Sequence, residues 1–113
     1  MDCELVMYTR NWGCYYVSVA RALLARHGIP CREIDIDADP AAREWLLQNV
    51  GYLSVPTLVI AAPGQTTPVA PALPLAPGQS PRGVDRGTIL TEPSAEQLTA
   101  WLVRHGLLAA DAV

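Results

Sequence analysis

The chain has 113 residues, 50% of them hydrophobic, and a formal net charge of −3. That length suits a single domain, 1–113, with a real apolar core, and with no strongly basic region nucleic acid is excluded as an expected partner. No apolar run approaches the roughly 18 residues of a membrane span, and Met1-Asp2-Cys3-Glu4 lacks the basic-then-apolar pattern of a secretory leader, so a cytoplasmic monomer with no membrane partner is expected.

The apolar run Leu5-Val6-Met7-Tyr8 marks a first strand over residues 4–9, followed by a polar turn at Arg10-Asn11-Trp12-Gly13. Tyr16, Val19, Ala20, Leu23 and Leu24 then recur at helical spacing, predicting a helix over 15–27 that Gly28 stops. Cys31 to Ile36 reads as a second strand. Asp39-Pro40 offers an N-cap and a first-turn proline, opening a helix that carries Ala42, Trp45, Leu46 and Asn49 and ends at Gly51. Residues 57–61 form a third strand and 88–91 a short fourth. Ser94 with Gln97 is a capping-box pattern for a last helix with Leu98, Trp101 and Leu102 inside and Gly106 as its stop. The first half is a βαβ unit, with parallel strands and a right-handed crossover. The second half is a hairpin followed by a helix.

Segment 62–87 stands apart. It holds six of the ten prolines and four of the eight glycines, and no aromatic residue. Pro68, Pro71, Pro74 and Pro77 fall every third residue, the period of a polyproline II rod. It reads as an insertion in the hairpin between the third and fourth strands, not as a domain. A loop of this kind is either functional or poorly ordered.

The chemistry converges on Cys14, between the first strand and the first helix. At a helix N-terminus, unpaired N–H groups and the macrodipole favour the thiolate, which is the nucleophilic form. The other reading is a half-buried, inert thiol. Cys3 and Cys31 begin the two parallel strands, five or six residues below Cys14, or roughly 15–20 Å at a strand's rise. A disulfide needs Cα atoms within about 7 Å, so neither can resolve Cys14, although they could pair with each other. Three cysteines do not form a secreted disulfide framework, which suits a reducing compartment. With His27 and His105 they show no zinc spacing, so no metal site is expected.

At Trp12-Gly13-Cys14-Tyr15-Tyr16-Val17, with Ser54-Val55-Pro56-Thr57, the chain resembles the glutaredoxin family, and within it the mycoredoxin and glutaredoxin-like redoxin branch. The Tyr8-Thr9 strand end, Glu33-Ile34-Asp35-Ile36-Asp37 and Leu90-Thr91-Glu92-Pro93-Ser94-Ala95 also match, so the likeness covers residues 3–61 and 88–106. It implies an α/β, thioredoxin-like fold of order βαβαββα, with a four-stranded mixed sheet flanked by three helices. The family's usual Cys-Pro-Tyr-Cys is here Cys14-Tyr15-Tyr16-Val17. The second cysteine is gone, and a bulky tyrosine replaces proline or glycine.

The resemblance implies a monothiol thiol–disulfide oxidoreductase. Cys14 would form a mixed disulfide, and a small external thiol (glutathione or mycothiol-like) would resolve it, with disulfide-containing proteins as substrates and no tightly bound cofactor. A cis bond at Val55-Pro56 would turn the Val55 backbone toward Cys14. Arg10 would hold the thiol's carboxylate and Tyr16 flank its sulfur, with Trp12, Tyr15, Thr91, Glu92 and Ser94 around the same cleft. Each has a plainer alternative: Arg10 as a solvated loop residue, Tyr16 as the first core residue of its helix, Ser94 as a cap. Glu92 would repel a substrate carboxylate. Trp45 and Trp101 fit core positions, and His27 and His105 fit helix C-termini. Two other functions stay open at this point. One is a [2Fe–2S] cluster carrier, and the other is a redox-silent binding module whose working surface is the proline rod.

Overall fold

The computed structural model describes residues 3–11 and 14–112. Strand β1 (Glu4–Thr9) leads through a turn to helix α1 (Tyr15–Arg26), then to β2 (Arg32–Asp35) and α2 (Pro40–Val50). Strands β3 (Thr57–Ala61) and β4 (Ile89–Thr91) follow, then α3 (Ala95–Arg104) and a 3-10 turn at Ala110–Ala112. The sheet order is β2-β1-β3-β4. β1 and β2 run parallel with Thr9 opposite Asp35, while β3 lies antiparallel to β1 and to β4.

Both faces of the sheet are covered. Leu5 and Met7 point into a core shared with Leu23 and Leu24 of α1 and Leu98, Trp101 and Leu102 of α3. Val6, Tyr8 and Val59 point the other way, against Ala42, Leu46 and Val50 of α2. A central strand sandwiched by helices is apolar along its whole length, which is why Leu5 through Thr9 are all buried. No helix is long and apolar enough to cross a membrane.

The helix boundaries follow local chemistry. Asp39 accepts from the Ala42 amide, and Ser94 and Gln97 cap each other reciprocally. Several inward positions differ from the sequence expectation. On α1 the buried residues are Val17, Ala20, Leu23 and Leu24, while Tyr16 and Val19 are half-buried. Val17, in the first turn, joins the α2-side core, whereas Ala20, Leu23 and Leu24 join the core on the other face. On α2, Val50 is buried and Asn49 is exposed. Trp45 is half-buried, stacked on Tyr8 with ring centroids 5.0 Å apart.

The insertion is no free rod. It is laced to the body by main-chain and side-chain hydrogen bonds. The Tyr8 hydroxyl donates to the Thr66 carbonyl at 2.8 Å, and the Val69 amide donates to the Ile60 carbonyl at 2.8 Å. Thr88 Oγ1 donates to the Ala70 carbonyl at 2.9 Å. Arg86, only 9% exposed, donates from Nε to the Leu73 carbonyl at 2.7 Å and from a terminal nitrogen to the Asn49 carbonyl at 2.8 Å. The returning limb pairs along the outer margin of β4, with Gly83 N to Thr91 O at 2.7 Å and Arg86 N to Ile89 O at 3.0 Å. Gly83 is required there. Its φ is +71°, and a Cβ would sit 2.9 Å from the Gln97 side chain, which is already committed to the α3 cap.

Candidate active site

The C-terminal ends of β1 and β2, the start of β3 and the N-terminus of α1 meet at one end of the sheet. Cys14 is the N-cap of α1, in extended backbone (φ −137°, ψ 132°), and its side chain makes no capping bond. The sulfur is therefore not consumed by the helix it precedes. It lies 3.5 Å from the Val55 carbonyl, to which the thiol donates. The Val55–Pro56 peptide bond is cis. The Pro56 carbonyl accepts from the Glu92 amide at 2.8 Å, so the end of β4 is fixed to the proline turn.

A cleft of about 250 Å³ opens beside the sulfur, lined by Arg10, Cys14, Tyr52, Leu53, Ser54, Val55 and Glu92. Arg10 is neither a solvated loop residue nor an uncommitted cation. It grips Asp37 through Nε at 3.3 Å and a terminal nitrogen at 2.9 Å, and this hydrogen bonding holds the Asp37 carboxyl below its ordinary range. Asp37 was not among the expected site residues, although strand order offers a signal for it: the parallel pair β1 and β2 ends with Thr9 beside Asp35. Residues just past both strand ends must therefore meet.

The other expected site residues divide. Tyr16 is half-buried, and the Arg82 guanidinium lies 5.7 Å from its ring centroid. Tyr15 is 75% exposed, its ring edge-on to Tyr16. Glu92 lines the cleft with φ +45° and pairs with Arg82 Nε at 2.8 Å. Thr91 is fully buried, its hydroxyl 3.1 Å from that of Thr57, so its side chain does not reach the cleft. Ser94 is spent on the α3 cap. Trp12 and Gly13 lie outside the described residues. Arg82 had no local signal in the sequence, since only the return path of the insertion brings it to this end.

Cys3 and Cys31 lie at the opposite end, lining a separate cavity of about 460 Å³ with His27 and Leu107. All three cysteines are free thiols. Burial, and then the Glu33 charge, push the Cys31 thiol up to about 12. The group is thus neutral in the fold where an unfolded chain ionises near 9. The stabilisation is complete below that value and is lost as pH rises toward the folded one. Cys31 is expected to resist iodoacetamide through pH 10 in the native chain and to react fully in denaturant. Mass-spectrometric mapping of the alkylated peptides checks this, and prompt native labelling of Cys31 would contradict it.

An iron–sulfur cluster needs about four ligands. Among the described residues no group of three His, Cys, Asp or Glu side chains comes together for a metal.

The mixed β2-β1-β3-β4 sheet flanked by three helices is the thioredoxin-like fold, with a thiol at a helix N-terminus facing a cis-proline turn. The glutaredoxin family model matches residues 5–62, just over half of the chain, and the chain belongs to the glutaredoxin family. The match spans Cys14 and Pro56 and stops where the insertion begins. Among curated proteins, none matches the chain. Family membership supports thiol–disulfide oxidoreductase chemistry as its general class.

Proposed function

We propose that the protein is a monothiol member of its family, with Cys14 as the sole nucleophile and a small external thiol as the resolving partner. One observation carries this reading. The Cys14 sulfur, uncommitted to capping, faces the Val55 carbonyl across an open cleft, while position 17 is a buried valine, 2% exposed.

The Cys14 thiolate attacks one sulfur of a substrate disulfide in line. A Cys14–S–S–R bond forms, the substrate S–S bond breaks, and the second sulfur leaves as a thiolate. A small thiol then attacks the mixed disulfide and frees Cys14, either directly or through a second small thiol. The substrate disulfide is reduced as two small thiols are oxidised. Helix α1 supplies unpaired N–H groups beside the sulfur. The Val55 backbone, which borders the cleft, can pair with peptide groups of the partner.

The mycoredoxin and redoxin branch is part of the same reading, supported by the Cys14 and Val55-Pro56 motifs rather than by any curated relative. Single-domain organisation and a cytoplasmic setting are also proposed rather than established. The binding-module alternative relied on a projecting rod, whereas the insertion is laced to the body and its 82–86 limb lies along β4 and Glu92. The test is turnover of a small mixed disulfide by the intact chain, with Cys14 the first cysteine alkylated. Cys14 that stays unmodified while Cys3 labels would end this reading.

A further inference from the structure

Cys14's cleft has a neighbour. A second cleft of about 300 Å³ is lined by Tyr52, Ser54 and Glu92, shared with the first, and by Gly78, Ser80, Pro81 and Arg82. The second group of residues belongs entirely to the insertion. The segment that leaves the far end of β3 therefore returns beside the cleft of the reactive thiol, meeting it at Tyr52, Ser54 and Glu92.

At the seam lies Arg82. Its Nε donates to Glu92 Oε2 at 2.8 Å, and its guanidinium lies 5.7 Å from the ring centroid of Tyr16, two residues beyond Cys14. The Arg82 side chain is 63% exposed and that of Glu92 is 14% exposed. Among the described residues, Nε is the one guanidinium nitrogen of Arg82 in a hydrogen bond, which leaves its terminal donors at the open rim. The family-position arginine is engaged elsewhere, in the Arg10–Asp37 pair. One member of each of two ion pairs, Arg10 and Glu92, thus lines Cys14's cleft. Without Arg82, the Glu92 carboxylate would line Cys14's cleft with no salt-bridge partner among the described residues.

We propose that the insertion acts on the active site from the adjoining cleft and that Arg82 is a specificity-determining residue, which by neutralising Glu92 admits carboxylate-bearing thiols to Cys14. This rests on Cys14 being the nucleophile. The Glu92 repulsion expected from the sequence is cancelled by a residue that lies about ten positions away along the chain.

The test uses the intact chain loaded at Cys14 with dithiodipyridine. The Cys14 thiolate takes one pyridylthio group and releases one thiopyridone. A small thiol then attacks the Cys14 sulfur, its own sulfur bonding there as the second thiopyridone leaves and is read by absorbance. Three thiols differing in charge are compared: mercaptopropionate, mercaptoethanol and cysteamine. Arg82→Gln is expected to slow mercaptopropionate about tenfold, to leave mercaptoethanol within about twofold, and to speed cysteamine. Arg82→Lys should keep most of the wild-type rate with mercaptopropionate, Glu92→Gln should shift selectivity the opposite way, and all contrasts should shrink with salt. Equal changes for all three thiols, or none, would overturn the role of Arg82 while leaving Cys14 as the nucleophile. Failure of dithiodipyridine to load Cys14 at all would overturn both.

Discussion

Cys14→Ser is expected to remove thiol transfer, by about a thousandfold or more, while leaving the fold intact or slightly firmer. A serine hydroxyl does not attack a disulfide, and Cys3 and Cys31 stand at the other end of β1, beyond the reach of any substrate bound at Val55. Serine is also a better N-cap than cysteine, and the present N-cap makes no side-chain bond to its helix. Loss of activity should therefore accompany an unfolding free energy equal to wild type or higher by about 1 kcal/mol. Cys3→Ser and Cys31→Ser should both remain active. Turnover of a mixed disulfide and urea denaturation measure the two sides. Activity that survives in Cys14→Ser and vanishes on adding Cys31→Ser would relocate the nucleophile.

Arg86→Met is expected to cost about 2–3 kcal/mol, or a fall in Tm of about 10 °C or more. Arg86 is buried with no salt-bridge partner among the described residues, and burial lowers its pKa. Two carbonyls satisfy it: Leu73 in the outgoing limb of the insertion and Asn49 in the last turn of α2. A cation at a helix C-terminus is favourably placed against the macrodipole. Methionine keeps the apolar stem but leaves both carbonyls without their donors. Because Asn49 lies just before the 51–56 segment that carries Tyr52, Ser54 and Val55, loosening should spread to the cleft and weaken selectivity among small thiols. Thermal and urea unfolding check the first effect and the thiol series the second. A change under about 0.5 kcal/mol would mean that the two bonds contribute little.

Much of the frame was legible because its signals are local. Asp39-Pro40 and Ser94 with Gln97 cap the helices they announce, and the apolar runs 5–8 and 57–61 lie in the two central strands. Cys14 and Pro56 could be paired because a helix start and a strand start define the same end of a βαβ-type sheet. Positions at the ends of helix faces were less legible. Val17, Val50 and Asn49 lie within a residue or two of a helix end, where a small rotation exchanges inside for outside. Thr91 and Ser94 were assigned to the cleft by likeness, yet their hydroxyls serve β3 and α3. The path of 62–87 was not legible. Its proline period describes local conformation, whereas its course is decided by single long-range contacts from Tyr8, Arg86 and Gly83.

The pairing of the 83–86 limb with β4 has a consequence away from the thiol. A bare outer strand offers its unpaired amides and carbonyls as a template for another chain. Here that rim is already occupied by the protein's own returning segment, through Gly83 and Arg86. The opposite rim, β2, is four residues long and presents Arg32 and Glu33, tied to Glu4 and Arg21. A short, charged margin on one side and a self-supplied seal on the other leave little for sheet-to-sheet recruitment, so the insertion that reaches the reactive end also guards the chain against aggregation along its β4 edge.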